Sequence, residues 1–200
     1  MHLPKLCWGD CKATDHALDA RLLLGAPKTI EDAIHVAEKI GIPQLWVDQY
    51  CINQHDIKMR SATIQSMDMI YGSAALTIIA ASGEDAASGL PGIRGTTRAQ
   101  QRTMRIGRYE VPSNIRDQVR ASRWNSCGWT YQEAPLSHRV LVFAETQLYF
   151  QCGQTYQLQH FRSSLDSMSG DLQDTIRIFP RPSTEKRHAE VYERLAEYFP

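Results

Sequence analysis

The stretch KTIEDAIHVAEKIGIPQLWVDQYCI, Lys28 to Ile52, decides the class of fold. Its first half has helical period: Ile30, Ala33, Ile34 and Ala37 fall on one face, and Glu31 and Asp32 sit in a first turn that favours negative charge. Thr29 is the expected N-cap, and Gly41 and Pro43 stop the helix after Lys39. The second half, QLWVDQYCI, is a nearly continuous apolar run, the pattern of a strand buried on both faces. NQHD breaks that run. A second helix is expected from about Ile57 to Gly72 with Ile64, Met67 and Tyr71 inward, followed by a further buried strand at ALTIIAA. Alternating strands and helices predict an α/β domain with a mainly parallel sheet flanked by helices.

Working outward, SGEDAASGLPGIRG (residues 82–95) reads as a loop on its glycine, serine and proline content. Eight arginines then lie between Arg94 and Arg123, against Glu110 and Asp117 alone. Within that stretch RTMRIGRYEV suits a short strand pair. SRWNSCGWTYQEA suits a short helix capped by Ser122, and RVLVF-AET-QLYFQC a C-terminal β-hairpin. The expected organisation is one domain over residues 1–160, a polar linker over 161–183, and an amphipathic helix over 184–200 that begins a helical C-terminal extension. In that helix Val191, Leu195 and Tyr198 face inward.

Composition narrows the function classes. The chain has 200 residues, 42% of them hydrophobic and 22% charged, ample for a core. Lys+Arg and Asp+Glu stand at 22 each, so no net field recruits nucleic acid or an acidic membrane. Five irregularly spaced cysteines argue for a reducing compartment rather than a disulfide framework. The start MHLPKLCWGDCK has no basic region leading into an apolar run, so no signal peptide is read there. The longest apolar run, Ala74 to Ala81, is too short to span a bilayer. A cytoplasmic protein with no membrane partner is expected.

Several groups carry chemistry, each with a structural alternative. Asp48 follows an expected buried strand, and ligands in open α/β sheets bind at carboxyl ends of strands; with Asn53 and Gln54 it either lines a cleft or hydrogen-bonds the turn leaving the strand. Glu133 lies one helical turn after Trp129, so ring and carboxylate share a face. A carboxylate set against rings loses solvation, which suits acid/base or transition-state work; the alternative is a helix-end glutamate paired with Arg123 or Arg139. Cys51 is read as core packing rather than as a nucleophile with His55 as base. Cys7, Cys11 and His16 lack the second ligand pair of a zinc site, and no metal site is expected. Gly89, Gly92 and Gly95 open no helix, so GLPGIRG is a surface loop rather than a phosphate loop. The arginines face solvent, and Trp46 and Trp124 are core rings.

Taken in order, LCWGD (Leu6 to Asp10), LWVDQYCINQHD (Leu45 to Asp56), MDMIYGSAALTIIAASGEDAASGLPG and SRWNSCGWTYQEAPLSHRVLVF resemble the fungal heterokaryon incompatibility (HET) domain family over Leu6 to Cys152. Relative to the family, the chain is expected to be clipped at its N-terminal edge and short at its C-terminal end. Met59 replaces a common acidic residue, Thr63 a common glutamine, and Cys127 the arginine usual before GWT. The tryptophan, glutamine and glutamate of that motif are kept as Trp129, Gln132 and Glu133.

The resemblance implies a death effector of fungal non-self recognition with a fold distantly similar to the Toll/interleukin-1 receptor (TIR) domain. Enzymatic TIR domains cleave NAD with a glutamate in a tryptophan-x-x-x-glutamate motif, the spacing of Trp129 and Glu133. Breaking the nicotinamide–ribose bond builds oxocarbenium character that one carboxylate can stabilise. NAD is thereby implied as a substrate, with no tightly bound cofactor. Glu133 is the expected catalytic residue, with Asp48, Asn53, Gln54, Trp129 and Gln132 in the pocket. Trp8, Gly9 and Asp10 form its rim. The alternatives are a non-enzymatic module acting as a homo-oligomer, a truncated degenerate paralogue, and, more distantly, a nuclease using Asp48 and Glu133 on a metal.

Overall fold

A computed structural model of the chain describes residues 5–6, 25–53, 55–101, 103–106, 109–112, 114–127, 130–152, 155–158, 161–164 and 178–179. The chain divides into two compact units, Met1–Met67 with Asp85–Thr96, and Asp68–Glu84 with Thr97–Pro200.

The first unit is organised by helix α1 (Lys28–Lys39), as its periodicity predicts. It ends in a Schellman motif: Gly41, at φ +74°, donates to the Glu38 carbonyl and Ile42 to that of Ala37. At the other end Pro27, not Thr29, is the N-cap. Thr29 is already helical, and its hydroxyl accepts from the Gly89 amide at 3.1 Å.

A two-residue strand β1 (Lys5–Leu6) pairs in parallel with β2 (Gln44–Leu45). The long strand expected over QLWVDQYCI is therefore corrected: after Leu45 the chain turns into a single helical turn, α2 (Asp48–Cys51). Only Cys51 and Ile52 of the run are buried, and two neighbours pointing inward fit a turn rather than an extended strand. An apolar run of that length does not distinguish the two by periodicity. Asp56 then caps α3 (Ile57–Gln65), accepting from the amides of Lys58 and Met59.

The expected helix over 57–72 is two helices, α3 and α4 (Met67–Ser73), parted at Ser66. The Ser66 amide bonds to the Thr63 carbonyl and its hydroxyl bonds back to that of Ala62. Met67 is buried and Tyr71 half-buried as expected, whereas Ile64 is exposed.

The second unit is built on a five-stranded sheet in the order β3-β6-β7-β8-β9. The strands are β3 (Thr77–Ala80), β6 (Arg139–Phe143), β7 (Leu148–Cys152), β8 (Thr155–Leu158) and β9 (Phe161–Ser164). Strand β3 runs parallel to β6, with Ile79 opposite Val142, and the other three pairings are antiparallel. The fold is mixed α/β, and the sheet is mixed where a mainly parallel one was expected. The connections decide this: short links leave β6 to β9 only antiparallel partners, while the long excursion from β3 to β6 permits a parallel crossover.

That excursion contains the expected strand pair, β4 (Thr103–Ile106) with β5 (Tyr109–Pro112). It also contains a helix not anticipated, α5 (Ile115–Ala121), capped by Asn114. A 3-10 turn (Trp124–Ser126) and α6 (Thr130–Leu136) follow. Ile115 and Val119 of α5 and Ala134 of α6 pack with Ile79, Val140, Val142 and Tyr149 of the sheet in one buried cluster. Each large aliphatic side chain buried there contributes about 1.5–3 kcal/mol.

Candidate functional site

Glu133 occupies the middle of α6, next to buried Ala134, and is half-buried. Its carbonyl accepts from the Ser137 hydroxyl, which lies 2.6 Å from Thr77 Oγ1 at the start of β3. The backbone of the residue is thus tied to the sheet. Its carboxylate is tied separately: Trp124 Nε1 donates to Glu133 Oε2 at 2.8 Å. An N–H donor to a carboxylate is a charge-assisted bond, and it fixes the direction of the group.

Trp124 is itself held on two sides. Below it, the Ser122 hydroxyl accepts from the Asn125 amide and closes the 3-10 turn. Against its ring stands Phe179, edge-on, with centroids 5.9 Å apart and planes at 73°. Phe179 lies within the stretch read as linker, yet it is buried in the core cluster.

Gln151 of β7 brings it there. The side-chain amide of Gln151 donates to the Phe179 carbonyl at 3.0 Å, and its oxygen accepts from the amides of Ile178 at 3.2 Å and Phe179 at 3.4 Å. The Tyr149 hydroxyl donates to that same oxygen at 2.7 Å. A buried glutamine thereby pairs with a passing segment as a strand backbone would.

The other expected site residues are placed as follows. Asp48 is exposed in the first turn of α2 and accepts from the Gln49 amide at 2.6 Å. Asn53 accepts from the His55 amide at 3.0 Å. Both make the local turn bonds named above as their structural alternative, and both belong to the first unit, whereas Glu133 belongs to the second. Trp8, Gly9, Asp10, Gln54 and Trp129 lie outside the described residues, as do Cys7, Cys11 and His16; Gln132 is described only as part of α6. Cys51 is buried, as core packing requires, at the end of α2 rather than inside a strand. Cys127 is exposed, its sulfur 3.6 Å from the Arg123 carbonyl. Arg123 pairs with Glu84 at 3.8 Å, and burial pulls the Arg98 guanidinium below its usual pKa. Among the described residues no group of His, Cys, Asp and Glu could hold a metal ion.

Two polar residues of consequence escape a sequence reading. One is Trp124, read as a core ring, whose indole also reaches Glu133 from nine residues away. The other is Asp32, fully buried in α1. Its carboxylate pairs with Lys28 and accepts from the Leu90 amide at 2.9 Å and the Thr96 hydroxyl at 3.1 Å. It pulls GLPGIRG onto the helix, so Gly89 to Pro91 are buried where a surface loop was expected.

The model of the family described as heterokaryon incompatibility protein (HET) matches residues 6–133. The chain belongs to the HET family. No curated protein and no solved structure matches it. Family membership indicates a function related to heterokaryon incompatibility. The HET match ends at Glu133, so Ser137, Gln151 and Phe179, which fix the surroundings of that residue, all follow the matched segment. Among the described residues no helix of this HET protein is long and apolar enough to cross a membrane.

Proposed function

We propose that this HET protein is a cytoplasmic cell-death effector of fungal non-self recognition that cleaves NAD, with Glu133 as the catalytic carboxylate. The observation that carries the reading is the fixing of Glu133 at both ends, main chain through Ser137 and carboxylate through Trp124. A carboxylate oriented before substrate arrives stabilises developing positive charge without reorganising. Further support comes from Trp129-Thr130-Tyr131-Gln132-Glu133, the spacing of TIR domains that cleave NAD.

In the reaction the bond between ribose and nicotinamide breaks, and its electron pair leaves with nicotinamide. Glu133 faces the resulting oxocarbenium carbon, and water adds there and loses a proton, giving ADP-ribose. Trp129 walls the nicotinamide side. Gln132 binds polar parts of the dinucleotide. NAD is the substrate, and no cofactor is held between turnovers.

The test is NAD consumption by purified protein against Glu133→Gln, which keeps shape and removes the charge. Consumption should fall at least a hundredfold while the far-UV spectrum is unchanged, the order of effect for a group acting in the transition state. Equal consumption by both proteins would remove Glu133 from the reaction.

A second reading, a self-assembling module that signals without catalysis, is favoured by the exposed Ile57, Met59 and Ile64 of α3. It predicts that Glu133→Gln kills hyphae normally while Ile57→Ser with Ile64→Ser does not.

A further inference from the structure

We infer that Trp124 is a positioning residue for Glu133, and that the Ile178–Phe179 segment, held by Gln151, is what keeps Trp124 in place. The inference rests on the reading of Glu133 as the working carboxylate. It adds a residue that the tryptophan-x-x-x-glutamate spacing does not contain, and a segment forty-odd residues beyond the family match.

The argument is geometric. A glutamate in the middle of a short helix keeps rotamer freedom unless something holds it, and an unheld carboxylate must be reorganised at each turnover. The indole N–H 2.8 Å from Oε2 removes that freedom. An indole, however, lies on a 3-10 turn only as firmly as its ring is packed. One face of the packing is the core, to which Trp124 is a half-buried neighbour. The edge contact with Phe179 is the other.

Phe179 in turn is placed by hydrogen bonds rather than by a helix or strand of its own. Both its main-chain groups, and the amide of Ile178, pair with the Gln151 side chain. Gln151 can do so because it is buried and points to the core face of β7, two residues along from Tyr149, whose hydroxyl braces its oxygen. A continuous run of contacts therefore joins β7 to Phe179, Trp124 and Glu133. Its length is four residues, with each step either a hydrogen bond or a packed ring contact.

The experiment uses the full chain with nitrogen-15 in its four indoles, at Trp8, Trp46, Trp124 and Trp129. Trp124→Phe removes one resonance and so assigns it. Should that variant fail to fold, Trp8→Phe, Trp46→Phe and Trp129→Phe assign it by elimination. The Trp124 resonance should lie downfield, move on acidification as the carboxylate takes up its proton, and lose that movement in Glu133→Gln. In Phe179→Leu and in Gln151→Leu the pH-dependent movement should shrink and indole hydrogen exchange should quicken, while Phe179→Tyr, which keeps the ring, should behave as wild type. A ring that merely filled space would change the resonance position on removal but leave its movement with pH intact.

A Trp124 resonance indifferent to Glu133→Gln overturns the positioning role. Wild-type movement and exchange in both Phe179→Leu and Gln151→Leu overturns the part assigned to the segment. These readouts do not require turnover: a coupled indole in a protein that leaves NAD untouched would sink the NAD reading and spare this one. Where NAD is consumed, Trp124→Phe should lower kcat about tenfold with KM little changed, as loss of one hydrogen bond to a charged group predicts. An unchanged kcat would separate the two in the opposite sense.

Discussion

At the scale of single residues, the two carboxylates that matter most are set by contacts from elsewhere in the chain. Glu133 was singled out by its neighbours in sequence, but its partners Trp124, Ser137 and, through Ser137, Thr77 are recognisable only in three dimensions. Asp32 reads in sequence as an acid of the first turn of α1, and in the structure it is buried with Lys28, Leu90 and Thr96 as partners. Gly89 completes that arrangement: at φ +76° it takes a conformation that side chains resist, and a Cβ would fall 2.8 Å from Asp32 Oδ2. Lys28 is partly exposed and can be solvated, but the buried Leu90 amide would lose its acceptor, so Asp32→Ala should lower stability by about 2–3 kcal/mol in urea unfolding. A change below about 1 kcal/mol would mean that the loop and helix hold without it. Helical period placed Asp32 on α1 correctly; a partner some sixty residues away leaves no mark in a local pattern.

At the scale of elements, the strongest local patterns produced the expected structures. Helix α1 ends where Gly41 allows a left-handed residue, and the hairpin of β6 and β7 turns at Ala144–Gln147, where the Ala144 amide bonds to the Gln147 carbonyl. The misreadings fell where a pattern was ambiguous. QLWVDQYCI is apolar enough for a buried strand, but its inward residues are adjacent and the chain winds into α2. The expected helix over 57–72 breaks at Ser66, whose hydroxyl competes for a backbone carbonyl. Helix α5 went unread because its two buried positions, Ile115 and Val119, are one turn apart in a stretch dominated by arginine. Helix α3 buries none of its own residues, so its start depends on the cap. Asp56→Ala should therefore cost about 1 kcal/mol and speed hydrogen exchange of the Lys58 and Met59 amides. Unaltered exchange at those amides would show that the cap is not what starts the helix.

At the scale of the whole molecule, the family match and the folding unit have different boundaries. The HET match stops at Glu133, but the sheet that supports α6 continues through β6 to β9, and the buried cluster includes Val140, Val142, Tyr149 and Phe179. A chain ending at residue 133 should thus leave β3 without its parallel partner and fail to give a soluble protein with a cooperative melt. A folded monomer from that chain, seen by size exclusion and calorimetry, would show that the later strands are dispensable. Sequence by itself determined the α/β class, helix α1, the strand pairs β4–β5 and β6–β7, the HET family and the interest of Glu133, because each depends on neighbours a few residues apart or on a motif order. Tertiary structure alone decided that the sheet has one parallel pairing, that Asp32 and Phe179 are interior, and that Trp124 holds Glu133. Those outcomes depend on which distant segments the crossover and the core bring into contact, and a hydrogen bond between them leaves no period or spacing along the chain.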